Sequence, residues 1–191
     1  LREDEERRLA EAGAMNAFGL TRRSALWQVE KAGRPRGPLL RDGEEGADPS
    51  PLHEMTLPER LGSDLLATGL TVGPHPLALW REALRERGVV RAFDLPHRED
   101  GSWVRVAGSV ICRQRPGTAK GFLFMTLEDE TGLVNVTVRP DLFHEENAVL
   151  VSADVLEVDG VLQTRDGCSV RAVRVRPAVV GEVGIPSRDF H

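Results

Sequence analysis

Cysteine is scarce in this chain: only Cys112 and Cys168 occur among its 191 residues. Two thiols this far apart form neither a metal-ligand pattern nor a disulfide framework. Both lie in segments with strand-like alternation, so we expect them to be small core residues. The five histidines are scattered, without the spacing of metal ligands. The sequence therefore predicts no metal site and no cofactor.

Long apolar runs are also missing. No stretch approaches the roughly 18 apolar residues that a membrane span needs, and no signal peptide is visible. We therefore expect no membrane partner and a cytoplasmic location. Because the chain begins at Leu1 rather than methionine and enters a helical pattern at once, we also expect it to be a fragment of a longer protein.

Catalytic motifs are absent as well. The sequence contains no phosphate-binding loop, no nucleophile elbow and no zinc signature. Its acidic run from Glu128 to Glu130 ends a strand-like segment, where alternation divides the side chains between two faces. A capped, solvated turn is the expected role of this run. No catalytic residue is predicted, and we do not expect this chain alone to be an enzyme.

The charge balance limits the possible partners. Net charge is -5, from 25 basic and 30 acidic residues, which argues against a strongly basic, free-standing nucleic-acid binder. Between residues 102 and 177 nine basic side chains face ten acidic ones. Any positive field must therefore be local, and nucleic-acid binding through it should be weak and salt-dependent.

The first half of the chain reads as helices separated by a linker. Residues 1–32 predict helix with a stop at Gly19 and a new N-cap at Thr21. The glycine- and proline-rich residues 33–53 predict a flexible linker. Residues 54–101 predict a helical connector, with an N-cap at Thr56.

From Trp103 the apolar period changes from helical to two. Alternation predicts five strands, at residues 103–114, 122–129, 133–138, 148–166 with an interruption at Asp159 and Gly160, and 168–177, with a helical insert at 139–147. This order matches the OB-fold. The predicted class is mainly β with α: a five-stranded OB-fold barrel at 102–177, preceded by helical segments and followed by a tail at 178–191. Gly108 inside the first strand predicts a bend or bulge.

The second strand presents aromatic side chains to one face. Leu123, Met125 and Leu127 alternate with Phe122, Phe124 and Thr126, so the aliphatic set fills the barrel interior. Phe122 and Phe124 are then left on the outer surface, where a phenylalanine can stack a base at about 1–3 kcal/mol. The alternative is that both rings pack under a loop or against the preceding helices.

Basic residues cluster in the loop before that strand. Its segment RQRPGTAKG carries three cations and no acid, and such a loop can close over phosphates. An ordinary solvated turn is the alternative. On the last strand Arg174 and Arg176 should share a face and Arg171 should not. The predicted DNA-binding set is Arg113, Arg115, Thr118, Lys120, Phe122, Phe124 and Arg165.

Three segments, in this order, carry a resemblance to a known family: AGAMNAFGLTRRSALWQV, TGLTVGPHPL and VRVAGSVICRQRPGTAKGFLFMTLEDETGLVNVTV. Together they resemble the C-terminal region of the error-prone DNA polymerases related to the bacterial DNA polymerase III alpha subunit. The closing SRDFH is also similar.

The resemblance implies a role in damage-induced translesion synthesis and DNA repair, with the catalytic palm elsewhere in the protein. Residues 1–32 would end a helix-hairpin-helix region, and residues 102–177 would meet single-stranded or primer-template DNA. The segment RGPLLRDG, where the replicative relative carries its clamp-binding peptide, has neither glutamine nor an aromatic. The resemblance thus implies only indirect contact with the sliding clamp, through an accessory translesion polymerase-like protein. A module that docks this protein partner is the alternative function.

Overall fold

The structure is a computed structural model that describes residues 2–32, 50–69, 71–165 and 167–178. It divides into two compact units, Leu1–Val72 and Gly73–His191. The division falls inside the predicted connector 54–101. Most of the predicted linker 33–53, including the RGPLLRDG segment, lies outside the described residues, as does the tail beyond residue 178. The predicted domain bounds stay predictions.

The described residues of the first unit form three helices, α1 (Glu3–Glu11), α2 (Arg22–Ala32) and α3 (Leu57–Thr68). A 3-10 turn at Ala14–Phe18 follows α1. The two predicted N-caps are present, because Thr21 Oγ1 accepts from the Ser24 amide and Thr56 Oγ1 from the Glu59 amide. Small apolar residues of α1 and α2 pack together: Ala10, Ala25 and Val29.

A buried ion pair joins α2 to α3. The Arg22 guanidinium donates to the Asp64 carboxylate, and both side chains are about nine-tenths buried. Asp64 also accepts from the Thr71 hydroxyl at 2.8 Å. Gly13 makes room for this arrangement, since a Cβ there would lie 2.6 Å from Arg22 Nε. The described part of the first unit therefore contains a small apolar cluster and a desolvated charge pair between α2 and α3.

The second unit begins with short segments that cover one side of its sheet. A 3-10 turn at Pro76–Trp80 leads into α4 (Arg81–Glu86), the two-residue strand β1 (Val89–Val90) and a second 3-10 segment at Ala92–His97. Leu77, Leu84 and Val89 pack against Ala107. This part of the predicted helical connector is thus present only as a 3-10 turn joined to a short α-helix.

The barrel follows. Its elements are β2 (Trp103–Gln114), β3 (Leu123–Asp129), β4 (Gly132–Val138), α5 (Pro140–Glu145), α6 (Asn147–Ser152), β5 (Val155–Gln163) and β6 (Ser169–Pro177). The strand order is β1-β2-β3-β4-β6-β5, and pairing of β2 with β5 closes the sheet. Five long strands with a helical insert after the third are the OB-fold arrangement, which confirms the predicted fold class.

The barrel interior is aliphatic. Inward residues of all five long strands are almost fully buried, among them Val106, Met125, Leu127, Val136, Leu156, Val158 and Leu162. Phe143 of α5 and Leu150 of α6 close one end of this core. Packing of this kind stabilises the barrel.

The fourth strand is shorter than predicted. Residues 147–152 form α6 instead of the start of a strand. The apolar run from Ala148 to Val151 fits either period, and such short runs do not separate helix from strand. The guanidinium of Arg113, on β2, donates to the carbonyls of Leu150 and Ala153. It thereby satisfies orphan acceptors at the C-terminal end of this helix.

Gly108 serves close packing rather than a bulge at its own position. The register shift between β2 and β3 lies at Val110 and Cys112. A Cβ on Gly108 would lie 2.7 Å from Leu127 Cβ and 2.9 Å from the Glu128 carbonyl oxygen. The strand passes from pairing with β5 to pairing with β3 at Ser109, next to Gly108, so the predicted bend is consistent with the pairing while the register shift lies a few residues further on. Glycine is needed at this position because β3 lies directly against it.

Membrane-spanning helices and metal-binding clusters are both absent from the described residues. None of the helices there is long and apolar enough to cross a membrane. No group of three or more His, Cys, Asp or Glu side chains in the described ranges is placed to hold a metal ion.

Candidate nucleic-acid interface

The alternation predicted for β3 is confirmed. Leu123, Met125 and Leu127 are at most 4% exposed, whereas Phe124 is 41% exposed. Phe122 precedes the first residue of β3 and is half-buried. Phe124 is therefore the aromatic side chain of this strand that reaches solvent on the outer face of the barrel.

Phe124 lies in a row that crosses four strands. It pairs with Gln114 on β2 and with Thr137 on β4, and Thr137 in turn pairs with Arg171 on β6. Gln114 and Arg171 are exposed and Thr137 is half-buried. Because neighbouring strands lie about 4.8 Å apart, the row spans roughly 14 Å. It places one ring, two polar side chains and one cation side by side.

A second row runs beside the first. Thr126 of β3 pairs with Asn135 of β4, and the Thr126 hydroxyl lies 3.2 Å from the Asn135 side-chain oxygen. Asn135 is exposed, and its parallel partner on β6 is Ser169. The outer face of β3, β4 and β6 therefore offers hydrogen-bonding groups next to the aromatic ring.

The basic loop is partly ordered by its own contacts. Gly117–Ala119 forms a 3-10 turn that includes the exposed Thr118, and Lys120 follows with φ of 50°. The guanidinium of Arg115 lies 4.3 Å from the centroid of the Phe143 ring. Arg115 and Lys120 form no ion pair with any residue that the structure describes, so their charges are not neutralised locally.

Arg113 and Arg165 are placed differently from these two. Arg113 is half-buried and is the guanidinium that donates to the carbonyls at the end of α6. Arg165 is exposed and forms an ion pair with Asp100 at 2.9 Å. Of the predicted residues, Arg115 thus lies over Phe143 and Phe124 is exposed in its row, and the DNA contacts of all seven residues stay predictions.

The last strand presents its arginines differently from the prediction. A register shift between β5 and β6 lies at Asp159 and Gly160. Ala172 and Val175 are buried while the two residues between them, Val173 and Arg174, are exposed. This bulge puts Arg171 on the same outer side as Arg174. The prediction that Arg171 faces the other way was wrong, because strict alternation does not allow for an extra residue.

The acids on the outer side of β5 are neutralised. Glu157 is fully buried and accepts from Arg87 and Arg176. Asp159, 4% exposed, accepts from Arg105 at 2.6 Å and from Arg176 at 3.0 Å. Burial raises the pKa of Asp159, but the hydrogen bonds and charges of Arg105 and Arg176 outweigh it and hold this pKa below its ordinary value of 3.8. These five residues form a charge network.

The acidic run at the end of β3 is not a solvated turn. Asp129 is 3% exposed and accepts from the amides of Ala92 and Thr131 at 2.8 and 2.7 Å. Arg81 donates to Asp129 at 3.3 Å and to Glu130 at 2.5 Å. The carboxylate therefore ties the segment before the barrel to the β3–β4 turn. The expected capping is present, but the expected exposure was wrong.

Ion pairing leaves a few basic side chains of the barrel without an opposite charge nearby. Within the described part of the barrel, four basic side chains have no ion-pair partner: Arg115, Lys120, Arg171 and Arg174. Arg171 belongs to the row of Phe124, and Arg115 follows Gln114 of that row. Glu128, also on the outer face of β3, lies two rows away from Phe124, which is about 13 Å along the strand. The local charge around Phe124 is thus positive.

Comparison with known proteins agrees with this description. Residues 104–177 match a family model described as an OB-fold nucleic acid binding domain. The chain is 39% identical over 184 residues to an error-prone DNA polymerase of Corynebacterium glutamicum, and 41% identical over 186 residues to one of Pseudomonas fluorescens; each match covers 95% of this chain. The resemblance to the error-prone DNA polymerases is confirmed.

The error-prone DNA polymerases that match are much longer than this chain. A relative from Aromatoleum aromaticum, 39% identical over 188 residues, is likewise named error-prone DNA polymerase, and the match covers 96% of this chain. The chain spans 17 to 18% of the length of these three relatives. Most of such an error-prone DNA polymerase therefore has no counterpart in the sequence described here.

Proposed function

We propose that this chain is the DNA-binding part of an error-prone DNA polymerase that acts in translesion synthesis and DNA repair. In this proposal the barrel contacts single-stranded template. The observation that supports it most is Phe124, an exposed ring at the centre of a row that also contains Arg171. The names of the relatives and the description of the matching family model support the same reading.

The proposed contacts follow from the chemistry of that face. A base stacks on the Phe124 ring, because every base has a π-face and this interaction tolerates any sequence. The side chains of Gln114, Thr137 and Asn135 offer hydrogen bonds beside it. The cations that have no ion-pair partner meet the phosphates. No residue of this chain is assigned to nucleotidyl transfer, which the proposal leaves to the rest of the full-length polymerase.

Phe124→Ala is expected to weaken binding of a short single-stranded oligonucleotide about tenfold, because stacking on an aromatic ring contributes about 1–3 kcal/mol per base. The measurement is fluorescence anisotropy with a labelled oligonucleotide at low salt. Phe93→Ala is the matched control, since Phe93 is also an exposed phenylalanine, at 63%, and lies outside the Phe124 row.

Both variants should unfold at the temperature of the unmodified chain, because neither ring is buried. Equal affinity of the Phe124→Ala variant and the unmodified chain would remove Phe124 from the binding site. Equal losses in both phenylalanine variants would show that the effect is not specific to this row.

A protein-docking role is the second candidate function. The outer face also exposes apolar side chains, Leu133 at 61% and Val173 at 50%, and the barrel carries nine basic and ten acidic residues between 102 and 177. Such a surface suits an accessory translesion polymerase-like protein, through which the sliding clamp would be reached indirectly. Added salt separates the two functions, because apolar docking does not weaken steeply with ionic strength.

A further inference from the structure

We propose that the guanidinium of Arg115 is a second base-stacking surface for single-stranded DNA, beside Phe124. The inference rests on the proposed DNA-binding function and adds a role for Arg115 beyond a phosphate contact. It starts from one geometry: the Arg115 guanidinium lies 4.3 Å from the centroid of the Phe143 ring.

The ring beneath the guanidinium is fixed. Phe143 is 7% exposed and belongs to the barrel core, so its position is set by packing. A guanidinium over an aromatic face is attracted by the quadrupole of the ring. Arg115 itself is exposed. Phe143 therefore contacts the guanidinium of a residue that is otherwise exposed to solvent.

The edges of the guanidinium are not occupied by a carboxylate. Arg113, two residues earlier, donates to two carbonyls, and Arg165 forms an ion pair with Asp100. Arg115 has no such partner among the described residues. Arginine planes stack on unpaired bases in single-stranded nucleic acids, and this plane is already oriented before any ligand arrives.

The position of Arg115 suits contact with the nucleotide next to the one on Phe124. Gln114 pairs with Phe124, and Arg115 follows Gln114. With strands about 4.8 Å apart and residues about 3.3 Å apart, the Cα atoms of Arg115 and Phe124 are roughly 6 Å from each other. The proposal requires that the Arg115 side chain, one residue past the Phe124 row, turns toward that row, so that adjacent bases of an extended single strand meet the ring and the guanidinium.

Substituting lysine for Arg115 distinguishes base stacking from a purely electrostatic contact with phosphate. Arg115→Lys keeps the positive charge but removes the plane, whereas Arg115→Ala removes both. If Arg115 only met a phosphate, the lysine variant would bind almost as well as the unmodified chain. Under stacking, both variants should bind a single-stranded oligonucleotide about fivefold more weakly, and the lysine variant should keep the salt dependence of the unmodified chain.

The test is fluorescence anisotropy with a set of oligonucleotides in which an abasic site is moved along the strand. For the unmodified chain, two neighbouring abasic positions should each weaken binding. Arg115→Lys should abolish the penalty at one of them, and Phe124→Ala the penalty at the other. Thermal unfolding of each variant checks that the barrel is intact.

The outcomes are distinct. Unchanged affinity of the Arg115→Lys variant would overturn the stacking role and leave a phosphate contact. A loss that is the same for intact and abasic oligonucleotides would also overturn it, because Arg115 would then act by ordering its loop. If the unmodified chain binds no single strand at low salt, the proposed function itself fails and this inference fails with it.

Discussion

Gly160→Ala is expected to lower the free energy of unfolding of the barrel by about 3 kcal/mol or more, since overpacking that displaces backbone reaches or exceeds the usual range of about 1–3 kcal/mol. A Cβ at this position would lie 2.3 Å from the carbonyl oxygen of Arg171 and 2.9 Å from its carbonyl carbon. The clash is with backbone, so no side-chain rotation relieves it. The β5 and β6 strands would have to separate where their register shifts.

Urea denaturation followed by circular dichroism measures this effect. Gly117→Ala is the matched control, because nothing lies within 4 Å of the Cβ that it would add. The control should unfold at nearly the urea concentration of the unmodified chain. If Gly160→Ala unfolds at the same urea concentration as the control, the backbones of β5 and β6 do not approach each other at Gly160 as closely as described.

Glu157→Gln is expected to lower the free energy of unfolding by about 3 kcal/mol, the lower end of the range for breaking a buried ion pair. Glu157 is completely buried and accepts from Arg87 and Arg176. The amide keeps the shape of the side chain but leaves these two guanidinium groups without its charge. The lower end applies because the Arg87 and Arg176 side chains are 36% and 32% exposed, so water screens them in part.

The control for Glu157→Gln is Glu82→Gln. Glu82 also pairs with an arginine, Arg85, but both side chains of that pair are 72% exposed. Exposed pairs contribute little to stability, so this variant should denature in urea like the unmodified chain. Equal denaturation of both variants would show that the network around Glu157 is not a stabilising feature of the second unit.

Strand alternation was enough to predict the face of Phe124. In β3 three aliphatic residues alternate with Phe124 and Thr126, and the burial values follow this pattern. The same rule failed in β6, where the bulge after Ala172 changes the side that later residues face. Nothing local in the sequence marks the extra residue on β6 itself. The signal for the bulge was on the partner strand β5, at Gly160, where only glycine fits because the backbone of β6 lies so close.

Contacts between distant residues account for most of what the sequence did not predict. Asp129 is buried because Arg81, 48 residues earlier, and the Ala92 amide reach it. The row that includes Arg171 depends on parallel pairing of β4 with β6, two strands separated by the helical insert and β5. Such pairings follow from the closed sheet as a whole, and no periodicity in one segment reveals them.

The role of Arg113 illustrates the same limit. The sequence places this residue beside Arg115 in one basic loop, and charge alone does not distinguish them. In the structure the Arg113 guanidinium donates to a carbonyl in the last turn of α6. The sequence did not predict that α6 is a helix. Arg115 instead lies over Phe143. Two arginines two positions apart thus have different surroundings.

The most direct test of DNA binding is a salt titration of the unmodified chain with a labelled single-stranded oligonucleotide, followed by fluorescence anisotropy. If three of the four cations that have no ion-pair partner meet phosphates, the logarithm of the affinity should fall against the logarithm of salt with a slope of about -2. Affinity should then drop about 20-fold between about 50 and about 200 mM salt. No binding at the lower salt concentration, or an affinity that salt does not change, would contradict the account and favour a protein partner.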